Sequence, residues 1–213
     1  MQPYYDDGQI TLYCGDCREV LPTLADQSAD LVLTDPPYGV DFQYDGPYQD
    51  TEQGYREWLQ PVVGEIRRVG KVAMLTTGIN NLWLYPPPTW VMCWAKPGSP
   101  RRSRLGGFCA WEPVLVYGKT TIYNDFKWLP AAVNITKGPA AAHPCPKPIA
   151  LCRWLVAEGS KPGELVLDPF AGSGSTLRAA KDLGRRAIGV EINPAYCEII
   201  VERLAQQVLP LAI

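Results

Sequence analysis

Only one histidine, His143, occurs in 213 residues, and it reads as a structural hydrogen-bonding side chain rather than a catalyst. Neither sign of charge dominates. Twenty Lys and Arg against twenty-two Asp and Glu leave a net charge of −2. That argues against coating nucleic acid by bulk attraction, although a local basic patch can still bind it. No apolar run approaches the roughly 18–20 residues of a membrane span, and no charged n-region with an apolar h-region opens the chain. The expectation is a cytoplasmic protein with no membrane segment. There is no internal repeat and no low-complexity tract. The seven cysteines are an odd number in a chain large enough to need no stapling, which points to reduced thiols. Cys14 and Cys17 have C-x-x-C spacing, but no second pair matches it, so no metal site is expected.

What is present suits one α/β domain spanning 1–213, with 46% apolar residues to build its core. Short apolar runs alternate with helix-like stretches, the pattern of a mostly parallel sheet covered by helices. Seven strands are expected, at Ile10–Cys14, Leu31–Thr34, Lys71–Thr76, Trp90–Trp94, Val114–Tyr117, Leu165–Asp168 and Ala187–Glu191. Helices are expected at Glu52–Val69, Lys147–Glu158, Ser175–Leu183 and Pro194–Gln207. The fold class is therefore a doubly wound, mostly parallel seven-stranded sheet with helices on both faces. Residues 97–146 hold one good strand and much irregular sequence, and are expected to form an insertion. Prolines cluster near 86–88, 97–100 and 144–148, so the connecting loops are expected to be stiff.

Two stretches carry chemistry. In "LVLTDPPYGV", residues 31–40, an apolar strand runs into Asp35-Pro36-Pro37-Tyr38, a carboxylate in stiff backbone followed by an aromatic ring. In "LVLDPFAGSGSTLRAAKDLGRRAIGVEIN", residues 165–193, a strand ends at Asp168, a turn carries Gly172 and Gly174, and a helix starts near Ser175. Small residues let a ligand approach the backbone, and a helix N-terminus favours negative charge. Nineteen residues beyond Gly172, Glu191 closes the next strand, where an acid can accept hydrogen bonds from ribose hydroxyls. Leu177 stands where G-x-G-x-x-G has its third glycine. That disfavours a pyrophosphate-binding dinucleotide site and suits a nucleoside with an amino-acid tail. Asp16 could accept from an adenine amine or cap the helix after it, and the two roles are compatible.

Asp35-Pro36-Pro37-Tyr38 together with "DPFAGSGST" resembles the amino-methyltransferases of DNA, which use S-adenosylmethionine to methylate adenine N6 or cytosine N4. The order, with D-P-P-Y first and the glycine loop last, is similar to the β group. "HPCPKP" at 143–148, "VMCWAKPG" and "EPVLVYGK" resemble further blocks of that group, so the resemblance covers nearly the whole chain. Ser175 stands where the family often has threonine. The target-recognition insertion is almost absent, only Lys119 to His143 separating the last recognisable strand from H-P-x-x-K-P.

The resemblance implies cofactor contacts at Asp16, Cys17, Asp35, Lys147, Asp168, Pro169, Phe170, Gly172, Ser173, Gly174, Ser175, Thr176, Glu191 and Ile192. Phe170 could lie against the cofactor or in the core. Lys147 could contact the cofactor carboxylate, orient the loop, or be a surface lysine. Catalysis falls to Asp35, Pro36, Pro37 and Tyr38. An exocyclic amine is a poor nucleophile because its lone pair is delocalised into the ring. The Asp35 carboxylate and the Pro36 carbonyl can each accept one N–H, the prolines keep these acceptors aimed, and Tyr38 offers a face to an extruded base. D-P-P-Y leans to adenine N6 in DNA, since S-P-P-Y is commoner with cytosine N4. Cytosine N4, an RNA base, and a binding module without turnover remain alternatives. Lys96, Arg101, Arg102 and Arg104 form the one concentrated basic stretch, read as phosphate contacts. Residues 39–55 suit a loop over the target base, and a homodimer could supply further DNA-contact surface.

Overall fold

The computed structural model describes residues 2–38, 52–98, 107, 109–129 and 146–206, with 52–56 described by backbone alone. Its strands are β1 (Tyr5–Asp6), β2 (Ile10–Cys14), β3 (Ala29–Thr34), β4 (Gly70–Thr76), β5 (Trp90–Ala95), β6 (Trp111–Gly118), β7 (Phe126–Trp128), β8 (Leu165–Asp168) and β9 (Arg186–Glu191). The helices are α1 (Cys17–Val20), α2 (Glu52–Val69), α3 (Ile149–Gly159), α4 (Ser175–Asp182) and α5 (Pro194–Ala205). Short 3₁₀ helices span Leu21–Thr23 and Ile79–Leu84.

All nine strands join one sheet in the order β1-β2-β9-β8-β3-β4-β6-β5-β7. Five neighbouring strands, β2, β9, β8, β3 and β4, are parallel. β6 runs antiparallel to both β4 and β5. The seven expected strands are all present. The two additions, β1 with two residues and β7 with three, are edge strands too short to show a period of two.

Alternation along the central strands explains the layering. On β3, Leu31 and Leu33 join a cluster with Leu155 and Val156 of α3, Leu177 and Ala180 of α4, and Ile200 of α5. Val32, between them, joins the opposite cluster with Leu59, Val63 and Ile66 of α2 and Val20 of α1. Successive strand residues point to opposite faces, so helices must cover both. The apolar positions of α2, at 59, 62, 63, 66 and 69, follow the three-and-four spacing of one helical face.

From β3 the chain proceeds to β4 on one side, while β8 is followed by β9 on the other. The sheet order therefore reverses between β3 and β8, which pair directly. In such sheets a cleft opens beyond the carboxyl ends of the strands at the reversal. Asp35 follows β3 there, and Asp168 ends β8.

Candidate active site

One cleft lies at this point. Its walls include Gly15 to Arg18 after β2, Asp35 and Pro37 after β3, Trp58 of α2, Pro146 and Lys147 before α3, Asp168 to Ser173 after β8, and Val190 to Asn193 at the end of β9. Of the expected cofactor contacts, only Gly174 is absent from this lining.

Gly174 has a different task. It adopts φ +75° as the residue before α4, and a Cβ there would sit 3.0 Å from Cγ1 of Ile200. The position therefore needs glycine for its conformation and for its packing against α5. The loop is braced from below. The Arg203 guanidinium donates to the Ser173 carbonyl at 2.9 Å and to Ser175 Oγ at 3.1 Å.

Asp168 and Glu191 are both buried. Glu191 Oε2 accepts the Gly172 N–H at 2.8 Å and Oε1 accepts the Asn193 N–H at 2.9 Å. Burial nevertheless pushes its carboxyl up to about 7, with the two backbone donors opposing that rise. Burial likewise raises Asp168 to about 6. Thr34 Oγ1, on β3, donates to Asp168 Oδ1 at 2.7 Å, so the ends of the two central strands are tied together beneath the cleft.

Asp16 fills the capping role. It accepts the Arg18 N–H at 2.8 Å and pairs with the Arg18 guanidinium at 2.5 Å, and that hydrogen bonding lowers its pKa. It also lines the cleft, so the cap does not exclude a ligand contact. Cys17 is buried beside it, and burial pushes its thiol up to about 12. Phe170 faces the cleft and meets the Trp58 ring at 5.6 Å between centroids.

Asp35 sits among three donors. Tyr38 O–H donates to Oδ1 at 2.6 Å, Thr76 Oγ1 at the end of β4 donates to the same oxygen, and Lys147 Nζ pairs with Oδ2. Pro36 is buried, and Asn81 Nδ2 donates to the Tyr38 carbonyl at 2.5 Å, fixing the end of the turn. Burial and the Asp35 charge hold the Tyr38 phenol well above its usual range, so it remains an O–H donor. The Lys147 ammonium also stands 5.3 Å from the Tyr38 ring centroid.

One expectation is corrected. Lys96 is not placed to meet phosphate, because its ammonium is buried and paired with the Glu112 carboxylate, with side-chain exposures of 8% and 6%. Arg101, Arg102, Arg104 and His143 lie outside the described residues, as does 39–51. Sequence reasoning missed Thr34, Thr76, Trp58, Arg18 and Asn81. Nothing in a strand-terminal threonine distinguishes one that meets an acid from one that meets water. Trp58 looks like any other apolar position on its helix.

The residues present fit S-adenosylmethionine. Four acids, Asp16, Asp35, Asp168 and Glu191, line the cleft against two bases, Arg18 and Lys147, a balance that suits a cationic sulfonium. Glu191 is an acceptor suited to ribose, and the glycine loop gives backbone access beside the start of a helix.

Comparisons with known proteins agree with this arrangement. A family profile described as DNA methylase matches residues 78–202, more than half of the chain. The Escherichia coli K12 protein YubD, named as a putative methylase, is 32% identical in an alignment of 202 positions that covers 90% of this chain and 88% of its own. The DNA adenine methyltransferase YhdJ of the same organism is 26% identical, over 91% and 82% of the two chains. Among solved structures, the PvuII DNA methyltransferase (cytosine-N4-specific) superposes with TM-score 0.77 at 18% identity, covering 98% of this chain and 90% of the other. A Thermus thermophilus protein named as a putative DNA modification methylase, solved with S-adenosyl-L-methionine, gives TM-score 0.64 at 26% identity, over 93% and 94%. The chain belongs to the DNA methylase family that methylates adenine N6 or cytosine N4, and is an S-adenosylmethionine-dependent DNA methyltransferase.

Proposed function

We propose that the protein methylates the exocyclic N6 amine of adenine in DNA, acting on a base extruded from the duplex. The observation that carries this reading is Asp35, a carboxylate supported by three donors at the mouth of the cleft that holds the glycine loop. When bound, S-adenosylmethionine supplies an electrophilic methyl group and its own leaving group. The protein's residues present the acceptor. Asp35 accepts one N–H of the amine and the Pro36 carbonyl the other, which turns the nitrogen lone pair toward the methyl donor. As the nitrogen gains its new bond it gives up one proton, and Asp35 takes it and passes it to water. Pro37 stiffens the turn, and Tyr38 stacks on the base.

Glu191 is assigned the ribose and Asp16 the adenine end of the cofactor. Phe170, Ile192 and Cys17 provide apolar wall, and Gly172, Ser173, Ser175 and Thr176 flank the amino-acid tail. Region 97–146 is assigned to DNA contact, with Arg101, Arg102 and Arg104 on phosphate. Trp111 and Trp128 of this region pair across Ala95 at the end of the sheet that carries Thr76. They are 38% and 62% exposed, which suits stacking or packing against nucleotides beside the target.

YhdJ, a relative, is named for adenine, and a carboxylate acceptor is what the D-P-P-Y form of the motif supplies. The test is to incubate the protein with labelled S-adenosylmethionine and DNA or RNA oligonucleotides, then digest to nucleosides. N6-methyladenine from DNA is expected. N4-methylcytosine as the sole product overturns the adenine assignment.

A further inference from the structure

We infer that Lys147 and Thr76 are positioning residues for the methyl-accepting amine, and that Lys147 serves Asp35 rather than the cofactor carboxylate. This inference rests on the proposed role of Asp35. An ionised carboxylate has about four acceptor sites. Three are taken, by Lys147 on Oδ2 and by Thr76 and Tyr38 on Oδ1. An incoming amine therefore meets a carboxylate whose direction is already set.

The three donors differ in what holds them. Thr76 is the last residue of β4 and is buried, so its hydroxyl cannot follow a moving partner far. Lys147 is anchored through its backbone, since its carbonyl accepts from Ser175 Oγ at 2.7 Å, at the first turn of α4. Ser175 is itself held by Arg203. Lys147 thus spans from the glycine loop to Asp35, fixing the acceptor relative to the side of the cleft from which the methyl arrives. Tyr38 is the donor that can be exchanged. Its O–H occupies Oδ1 as a neutral, rotatable donor, and a base amine can replace it while the ring turns to stack. Thr76 and Lys147 keep the carboxylate aimed through that exchange.

The charged groups facing this centre are few among the described residues. Lys147 and Tyr38 touch Asp35 directly. Asp168 of β8 feels its charge. Glu112 of β6 acts on Tyr38 and is paired with Lys96. Among the described residues Lys147 is the one cation in contact with Asp35, so its removal takes away that carboxylate's one charged partner among them.

The experiment compares Lys147→Met, Lys147→Arg and Thr76→Val with wild type as full chains. Cofactor affinity, measured by calorimetry with S-adenosylmethionine, is expected to stay within about threefold in all three. In Lys147→Met, kcat is expected to fall about 100-fold, on the scale of removing one preorganised electrostatic group. Lys147→Arg keeps the charge and should restore kcat to within about threefold of wild type. Thr76→Val should lower kcat about tenfold. A Lys147→Met kcat within about threefold of wild type overturns the inference, as does a tenfold loss of cofactor affinity in Lys147→Met with kcat unchanged. If wild type binds the cofactor but methylates no base, the parent reading fails instead. The inference then stands or falls on the ¹³C chemical shift of the Asp35 carboxyl at one fixed pH, expected to change in Lys147→Met and refuted by an unchanged shift.

Discussion

Replacing Glu191 by glutamine probes the electrostatics of the cleft without touching the reacting groups. Burial lifts the Glu191 carboxyl to about 7 from an ordinary value of 4.5. A folded-state pKa above the unfolded one means that the folded protein binds more protons between those values, so stability falls as pH rises through that window and levels off above it. Between pH 5 and pH 8 the linkage integral for this one group is about 2.5 kcal/mol lost. Asp168, raised to about 6 by its own burial, adds a loss in the same direction over a lower window. Glutamine does not titrate, so Glu191→Gln should show a pH 5 to pH 8 decline smaller than wild type by about 2–3 kcal/mol. Its stability at pH 5 should be lower, because one amide cannot accept from both the Gly172 and the Asn193 N–H groups. Urea unfolding of the ligand-free protein at the two pH values, with matched m-values, measures both effects. Equal declines in the two proteins would refute the assignment of a strongly desolvated acid at the end of β9.

Gly174→Ala places a Cβ at φ +75° and against Ile200, and should cost at least about 1 kcal/mol of stability while weakening cofactor binding, read by thermal unfolding and calorimetry. Lys96→Met removes the cation beside a buried Glu112 and should cost about 3 kcal/mol, with DNA affinity of the folded fraction unchanged in a fluorescence-anisotropy titration. A selective loss of DNA affinity there would restore Lys96 as a phosphate contact. Trp111→Ala combined with Trp128→Ala should weaken DNA binding at least about tenfold with cofactor affinity retained, measured by the same two titrations.

The strands and helices were legible because a doubly wound sheet writes strong periods into its sequence. Leu31, Val32 and Leu33 are apolar on both faces, as a parallel strand covered by helices must be. The two short edge strands carry no such period. The cleft was legible wherever chemistry restricts residue type, as at Asp35, Gly172 and Glu191. It was not legible where the function of a side chain depends on what folding places opposite. Lys147 lies 112 positions from Asp35 and Thr76 lies 41, and neither carries a local mark of that contact. Lys96 shows the converse. A lysine beside arginines reads as part of a basic patch, yet Glu112 on the neighbouring strand draws it inward.

The central claim is that Asp35, at the mouth of the S-adenosylmethionine cleft, presents an exocyclic amine for methylation. The most direct measurement is transfer of labelled methyl to DNA by wild type and Asp35→Ala, with cofactor affinity of both determined in parallel. Wild type should methylate, and Asp35→Ala should bind the cofactor within a few-fold of wild type while transfer drops to background. Full transfer by Asp35→Ala would contradict the claim.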